Sequence, residues 1–555
     1  MRALRRAAVL ALLLSLGACT VGSDFSPPRL GDLFSWTDRS SRDHDARGRR
    51  TPSGVTAAND PDPRWWDRFG DATLTRVMER AISGNLDLQQ AVLRVVEARQ
   101  GEINARATGL PTLNGTASYT RQQLGLRGLL QSRGAFDQAN RLSAADSPLN
   151  QFRPGLGTQT GAAARGLLNG LTQPVDLFQY GLDASWELDL FGRVRRGVEQ
   201  AEAQSEAQIE ATNDALVSLQ GEVAQACAQL RGAQTLYRTQ MDNVRTGQAS
   251  LDLTQRRRVQ GLATELEVEQ ARAQLLGFQA QLPVYERQTQ QAINRLSVLT
   301  GEPPGPLDRK LGQAAPLPMP RGLVGIGVPS ALARRRPDIR RAEAQLHAAT
   351  ASVGVAVASF YPDVSLTSSV GIRATDASYL TRWASHFYSI GPSVSLPIFQ
   401  GGRLISSLRM ARTQEAGAVL AYRSAVLNAL REVEDALVAY RTDRQQRDRL
   451  RQTVSSSSTA LALARSRYEN GLSNFLDVLD AQRTLVGARQ PLVQADLALT
   501  SDAVALYKAL GGGWEETRGA ISAPKVDQAP PLLPAALDTL EAGSSGSSND
   551  PQSGR

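Results

Sequence analysis

The chain has 555 residues, of which 5% are aromatic and 47 are glycine, and it carries a formal charge of +8. So few aromatics argue against one large aromatic core, and the weight of Ala, Gln, Arg, Leu and Ser points to long, mostly solvated helices. Three of the positive charges (Arg2, Arg5, Arg6) lie in a segment expected to be removed, and the rest are mixed along helices, which argues against a nucleic-acid stripe.

The N-terminus reads as a secretory signal. Arg2, Arg5 and Arg6 form its basic region, and the apolar run over residues 7–16 is too short to span a membrane as a mature helix. Leu16-Gly17-Ala18-Cys19 follows, and small residues before a cysteine resemble the bacterial lipoprotein cleavage box. That resemblance implies a signal peptide at residues 1–18 and a mature N-terminal Cys19 bearing acyl chains such as palmitate. Thr20, rather than an aspartate, follows the cysteine, which resembles the rule for sorting to the outer membrane. Several acyl chains give firm attachment to lipid. Cys227, the only other cysteine, makes no intramolecular disulfide and reads as a small helix-packing residue.

Residues 19–63 hold prolines among charges and read as an extended leader. Trp65-Trp66 precede a short helix at about 72–83, broken at Gly84-Asn85, and a second helix at about 86–108. Alternation then sets in. Leu113, Gly115, Ala117 and Tyr119 share one face and Asn114, Thr116, Ser118 and Thr120 the other, which is the period of a strand. Its partner runs through Tyr180, Leu182, Ala184, Trp186 and Leu188. In the second half Val364, Leu366, Ser368, Val370 and Ile372 pair with Tyr388, Ile390, Val394 and Leu396. Each strand is about ten residues, the length a tilted membrane strand needs. The first hairpin is 43 residues longer than the second. The excess falls within residues 121–179, is rich in Gly, Gln, Leu and Arg, and reads as an enlarged surface loop, partly disordered. Gly155, Gly157 and Gly161 have the wrong spacing for a dinucleotide loop.

Residues 193–259 and 403–469 contain no proline and read as two helices of equal length. In the first, Val198, Ala201, Ser205, Ile209, Thr212, Leu216, Leu219, Val223, Ala226 and Leu230 recur every three or four residues, a coiled-coil stripe. Val419, Val426, Leu430, Val433, Leu437 and Tyr440 trace another in the second. Each helix is followed by a glycine turn and a returning helical segment. The turns are Gly261-Leu262-Ala263-Thr264 and Gly471-Leu472-Ser473-Asn474, with Thr264 and Ser473 as the expected N-caps. The surrounding residues match at an offset of 210, so the chain is a duplicated architecture. The first repeat spans residues 64–300, a proline-rich connector 301–329, the second repeat 330–514 and a low-complexity, disordered tail 515–555.

Four strands per chain do not close a barrel, and an open sheet edge in lipid leaves backbone groups without partners. Oligomerisation follows: two chains would supply eight strands and three chains twelve. Paired helical strands in a trimer would enclose a tube lined by small and polar residues.

The residues Leu16-Gly17-Ala18-Cys19, Trp65-Trp66, Asn85-Leu86-Asp87-Leu88, Arg336-Pro337-Asp338-Ile339, Phe360-Tyr361-Pro362, the two turns and Leu506 to Trp514 together resemble the outer-membrane factor, or TolC-like, family. The likeness is greatest to the lipoprotein branch that serves RND-type efflux systems. It implies a mainly α fold with a β-barrel part: a homotrimer with a twelve-stranded transmembrane barrel joined to a periplasmic α-helical barrel. It implies an exit channel that passively conducts drugs or other small molecules when docked to a periplasmic membrane-fusion adaptor and an inner-membrane pump.

Leu476 and Asp480 are four residues apart, hence on one helix face. About a threefold axis they would form an apolar ring and a carboxylate ring, the first able to gate by dewetting and the second favouring cations. Arg467 and Tyr468, on the opposing helix end, are within reach of bonding to Asp480. The resemblance implies that these four close the pore and that the two turns meet the adaptor. No nucleophile elbow, phosphate loop or metal-ligand spacing occurs, and His44, His347 and His386 are widely separated, so no enzyme, cofactor, metal site or nucleic-acid partner is expected. Two other readings fit parts of the pattern: a duct for type I protein secretion, and a trimeric coiled-coil surface adhesin.

Overall fold

A computed structural model describes residues 20–27, 55–56, 62–123, 125–322, 324–325, 334–517, 519 and 521. The expected signal peptide, Cys19, most of the leader and nearly all of the tail lie outside the described residues.

In chain order the elements are β1 (Val55–Thr56), α1 (Ala72–Gly84), α2 (Leu86–Ala107), β2 (Thr112–Gln122), α3 (Leu126–Ser132), α4 (Ala135–Ser143), α5 (Leu149–Phe152), α6 (Leu156–Thr172) and β3 (Val175–Leu188). There follow α7 (Arg193–Val259), α8 (Glu265–Ala280), α9 (Leu282–Leu299), α10 (Asp308–Leu311), β4 (Val324–Gly325), α11 (Pro337–Ala358), β5 (Asp363–Ala374), β6 (His386–Ser395), α12 (Arg403–Glu469) and α13 (Phe475–Ala509). The chain divides into two compact units, one drawing on residues 97–208 and 339–427, the other on 31–96, 209–338 and 428–555.

The first unit holds a four-stranded antiparallel sheet in the order β2-β3-β5-β6. Its register places Leu113, Ala184, Ser368 and Ile390 in one row, and Gly115, Leu182, Val370 and Tyr388 in the next. Rows two residues apart share a face. That face is almost wholly apolar, and Leu113, Leu182, Val370, Tyr388 and Ile390 are all exposed on it. The opposite face carries Asn114, Thr116, Asp183, Thr367, Ser369 and Ser389. Such segregation suits lipid on one side and water on the other. β2 and β6 are the edges, each paired on one side only among the described residues.

The stretch expected as a partly disordered loop is instead helical, as α3 to α6 between β2 and β3. Its glycines explain why it folds. Gly155 starts α6 at a φ of 83°. Gly157 and Gly161 lie where α6 meets α4: a Cβ at Gly161 would fall 2.6 Å from Ser143 N, and one at Gly157 would fall 2.7 Å from Leu142 O.

The second unit is built on long helical segments. Within α7 the expected stripe residues Leu216, Leu219, Val223, Ala226 and Leu230 are buried, but so are Gln220, Ala224, Cys227 and Ala228. Burial there runs around the helix and is wider than a coiled-coil seam. Contacts outside the stripe accompany it: Gln220 donates to Gly513 O and Gln234 to Leu311 O of the connector, while Trp65 stacks on Tyr507 of α13 at 5.1 Å. The first returning segment is two helices, α8 and α9, parting at Gln281, whereas α13 continues through Pro491. Arg336, 7% exposed, binds Asp338 at 2.7 Å, Glu432 at 2.8 Å and Ala509 O at 2.7 Å, and so ties the start of α11 to α12 and α13.

Candidate pore gate and docking tips

The two tips have one backbone design. Gly261 and Gly471 adopt φ of 73° and 72°, a left-handed conformation that glycine takes without steric cost. Leu262 N donates to Arg257 O and Gly261 N to Arg258 O; Leu472 N donates to Arg467 O and Gly471 N to Tyr468 O. This 6→1 and 5→2 pairing is the Schellman motif, which satisfies the last carbonyls of α7 and α12. Leu262 and Leu472 stand 62% and 69% exposed. Thr264 caps α8 as expected, in a full capping box with Glu267. At the second tip the cap is Asn474, whose Oδ1 accepts from Asp477 N, and not Ser473. Ser473 Oγ is buried without a partner. The 210-residue offset sets Asn474 against Thr264, so the turn keeps its geometry when the cap residue changes.

Behind the tips lies a core of Leu251, Val268, Leu275, Leu461, Phe475, Val478 and Leu479. Tyr468 belongs to it, 2% exposed, with its ring 5.4 Å from Phe475, and burial pushes its phenol above the usual range. It does not bond Asp480 within the chain; its hydroxyl is buried without a partner. Leu476 is 57% exposed and Asp480 is also exposed, one turn further along the same face. Arg467 is exposed on α12. Of the four expected gate residues, then, Leu476 and Asp480 share a face that the chain leaves uncovered, and Tyr468 points into the interior.

Arg257 carried no role in the sequence reading. It sits over the Tyr468 ring at 4.6 Å and donates to Tyr468 O at 2.9 Å and Glu469 O at 3.1 Å. It thus caps α12 from the first hairpin with a cation, where the helix dipole is negative. Further ties run alongside. Arg465 donates to Thr246 O at 3.0 Å, Ser250 to Gln482 at 3.3 Å and Arg489 to Asn243 at 2.9 Å. Between α12 and α13, burial and the neighbouring Asp443 carboxylate push Asp502 up to about 6. Asp502 Oδ2 is buried without a hydrogen-bond partner.

In the first unit Arg196, nearly buried, pairs with Asp24 at 2.6 Å and Glu199 at 2.7 Å. Glu199 also meets His347 at 2.9 Å, and Phe25 stacks on that imidazole at 4.5 Å. Residues 21–25, just after the expected lipid-bearing cysteine, are therefore held on α7 and α11. No group of three or more metal-ligating side chains occurs among the described residues, and none of their helices is long and apolar enough to cross a membrane.

Comparison with known proteins agrees with this arrangement. The profile of the family described as "Outer membrane efflux protein" matches residues 77–302 and 328–512. The solvent efflux pump outer membrane protein SrpC of Pseudomonas putida is 32% identical over 503 residues, covering 90% of this chain and 97% of its own. Outer membrane protein OprJ of Pseudomonas aeruginosa is 32% identical over 522 residues, covering 92% and 96%. Among solved structures, the outer-membrane channel OprN shares 31% identity at a TM-score of 0.73, covering 89% of this chain and all of that one. The open-state MtrE channel of Neisseria gonorrhoeae shares 26% at 0.68, covering 89% and 99%. The fold class is mainly α with a β-barrel part, that of a trimeric outer-membrane channel to which each chain gives four strands. With its duplicated helical hairpins and lipid-suited sheet, this chain belongs to the outer membrane efflux protein family and resides in the outer membrane.

Proposed function

We propose that the chain forms the exit duct of a tripartite efflux pump, passively conducting small organic molecules from the periplasm to the exterior. The observation that carries this is the sheet: one face apolar, one polar, and both edges open. Edges of that kind are satisfied in lipid only by other copies, and three copies close twelve strands. The relatives' names, which speak of solvent, toluene and antibiotic efflux, support an organic substrate. Cys19 carries the lipid anchor in the outer membrane. The duct does no covalent chemistry, and the driving energy comes from an inner-membrane pump of the RND type through a periplasmic adaptor.

Leu476 and Asp480 close the resting pore, as stacked rings about the threefold axis. Arg467 and Tyr468 belong to this gate in different ways: Arg467 as an exposed charge near the rings, Tyr468 as the buried support of the helix end that carries them. The turns at Gly261 to Thr264 and Gly471 to Asn474 meet the adaptor, and their exposed leucines, Leu262 and Leu472, are the contact points.

Planar-bilayer conductance of the full-length protein tests this reading. Small, flickering openings in wild type that enlarge in Asp480→Ala and in Leu476→Ser are expected. Large, steady openings in all three would move the gate elsewhere, and no conductance from a folded trimer would sink the duct.

A further inference from the structure

Helices α3 to α6 stand at the end of the sheet away from the long helices, because β2 runs from α2 to the insert and β3 from the insert to α7. The apolar face of the sheet turns aromatic as it reaches them. The Tyr119 ring lies 4.8 Å from that of Phe178 across the β2–β3 pair, and Tyr180 sits on the next row of the same face. Tyr119 and Tyr180 are exposed, and the Tyr119 hydroxyl donates to Asp176, which faces Arg121 at 3.7 Å. Aromatic side chains at the end of a barrel's apolar band mark the level of the lipid headgroups. The insert therefore starts at the outer headgroup level.

The surface of the insert suits that level. Residues 123–174 hold five arginines, no lysine and two aspartates. All five arginines are exposed, and none pairs with a carboxylate among the described residues. They stand beside exposed apolar side chains: Arg153 follows Phe152, which is 85% exposed, Arg127 precedes Leu129, and Arg165 precedes Leu167, which is 71% exposed. On α6 the two kinds take different sides. Leu167 and Leu171 share one, Arg165 and Asn169 lie on the side opposite Leu167, and Gly157 and Gly161 turn to α4. A helix with one apolar side and one cationic side is the kind that lies in a membrane interface. The planar guanidinium also matches phosphate, to which it can give two parallel hydrogen bonds. The insert of another copy is a poor cover for this surface, because it carries the same excess of positive charge.

We propose that the insert lies in the outer interface of the membrane, with Phe152, Leu167 and Leu171 among the acyl chains and the arginines on the phosphates of the outer-leaflet glycolipid, lipopolysaccharide. The proposal rests on the duct reading, in which the long helices are periplasmic and the insert faces outward. A photo-crosslinking residue, p-benzoylphenylalanine, placed at Leu167 or at Phe152 in the full-length protein in cells tests it. Irradiation is expected to give a product that blots for lipopolysaccharide. With purified full-length protein in detergent, native mass spectrometry is expected to show binding of bisphosphorylated lipid A and not of its dephosphorylated form. Replacing Arg127, Arg153 and Arg165 together by glutamine is expected to weaken that binding at least tenfold, at about fivefold for each arginine. A crosslink to another copy or to a different protein, no lipid product from a folded protein, or equal lipid A binding by wild type and the arginine variant overturns the docking. Loss of lipid A binding on adding an equal concentration of inorganic phosphate overturns it too, since the site would then take a free anion and not a lipid. The arginine variant is expected to keep wild-type conductance in planar bilayers, so the two readings fail separately: a folded wild type that does not conduct overturns the duct, and the outcomes above overturn the docking.

Discussion

The two helical tips share a backbone and differ in what holds them. Each ends a 67-residue helix in a Schellman turn closed by a left-handed glycine. Beneath the first, polar capping dominates: Thr264 and Glu267 form a box and Arg258 pairs with Glu265. Beneath the second, at the matching positions, Tyr468 and Phe475 are buried against each other. The arginines diverge as well: Arg257 reaches inward to the end of α12, while its counterpart Arg467 stays exposed. Turn geometry is thus a local property that both copies kept. The Arg257 tie is a relation between the copies that its counterpart Arg467 does not return, and it reaches the hairpin carrying Leu476 and Asp480.

The sharpest test removes that tie. Arg257→Ala takes away charged hydrogen bonds and a cation–π contact, a local loss of about 2–3 kcal/mol. Faster hydrogen exchange over residues 460–480 is expected, with little change at 262–275. Arg467→Ala should leave both segments as they are, and equal effects from the two arginines would break the asymmetry.

Asp502 offers a second handle. The positions 210 residues before Asp443 and Asp502 hold Ala233 and Ala292, so the acidic pair is peculiar to the second hairpin. Because burial and Asp443 raise the folded-state value to about 6, the unfolded chain holds fewer protons than the folded one between the usual carboxylate range and that value. Stability therefore falls as pH rises through this window and stays reduced above it. Asp502→Asn should stabilise the second hairpin at pH 7.5 by roughly 1–2 kcal/mol, after discounting for partial solvent access, and do nothing near pH 4. Thermal melts at the two pH values read the difference, and a gain that persists at pH 4 would contradict it.

The shared backbone predicts equal costs. Gly261→Val and Gly471→Val each force a side chain into a left-handed turn, at about 1–2 kcal/mol. Unequal losses of stability would show that the turns are less alike than their angles suggest. The smallest effects belong to the caps: Thr264→Ala and Asn474→Ala should cost about 1 kcal/mol each, read as helix-end fraying by hydrogen exchange.

Much of this architecture can be read along the chain. Alternation marks the strands from Leu113 and Val364, and proline-free threes and fours mark α7 and α12. Glycine marks the turns, because each of these signals is carried by neighbours within a few residues. The Asn474 cap was legible too, since the offset sets it opposite Thr264; a serine one position earlier obscured it. The insert was not legible, because its helices are specified by the close approach of Gly157 and Gly161 to α4, and glycine-rich stretches look like loops until a partner helix is present.

The sequence by itself determined the period of each element, the four membrane-length strands and the glycine turns, all short-range properties, and the duplication, which shows as the same short-range pattern written twice. Only the tertiary structure decided that Tyr468 is interior, that Arg257 holds the end of α12 and that Arg196 gathers Asp24 and Glu199. Arg257 and Tyr468 are 211 residues apart, and Arg196 and Asp24 are 172 apart. No local pattern records such a pairing, because it exists only once packed helices bring the two side chains within hydrogen-bonding distance.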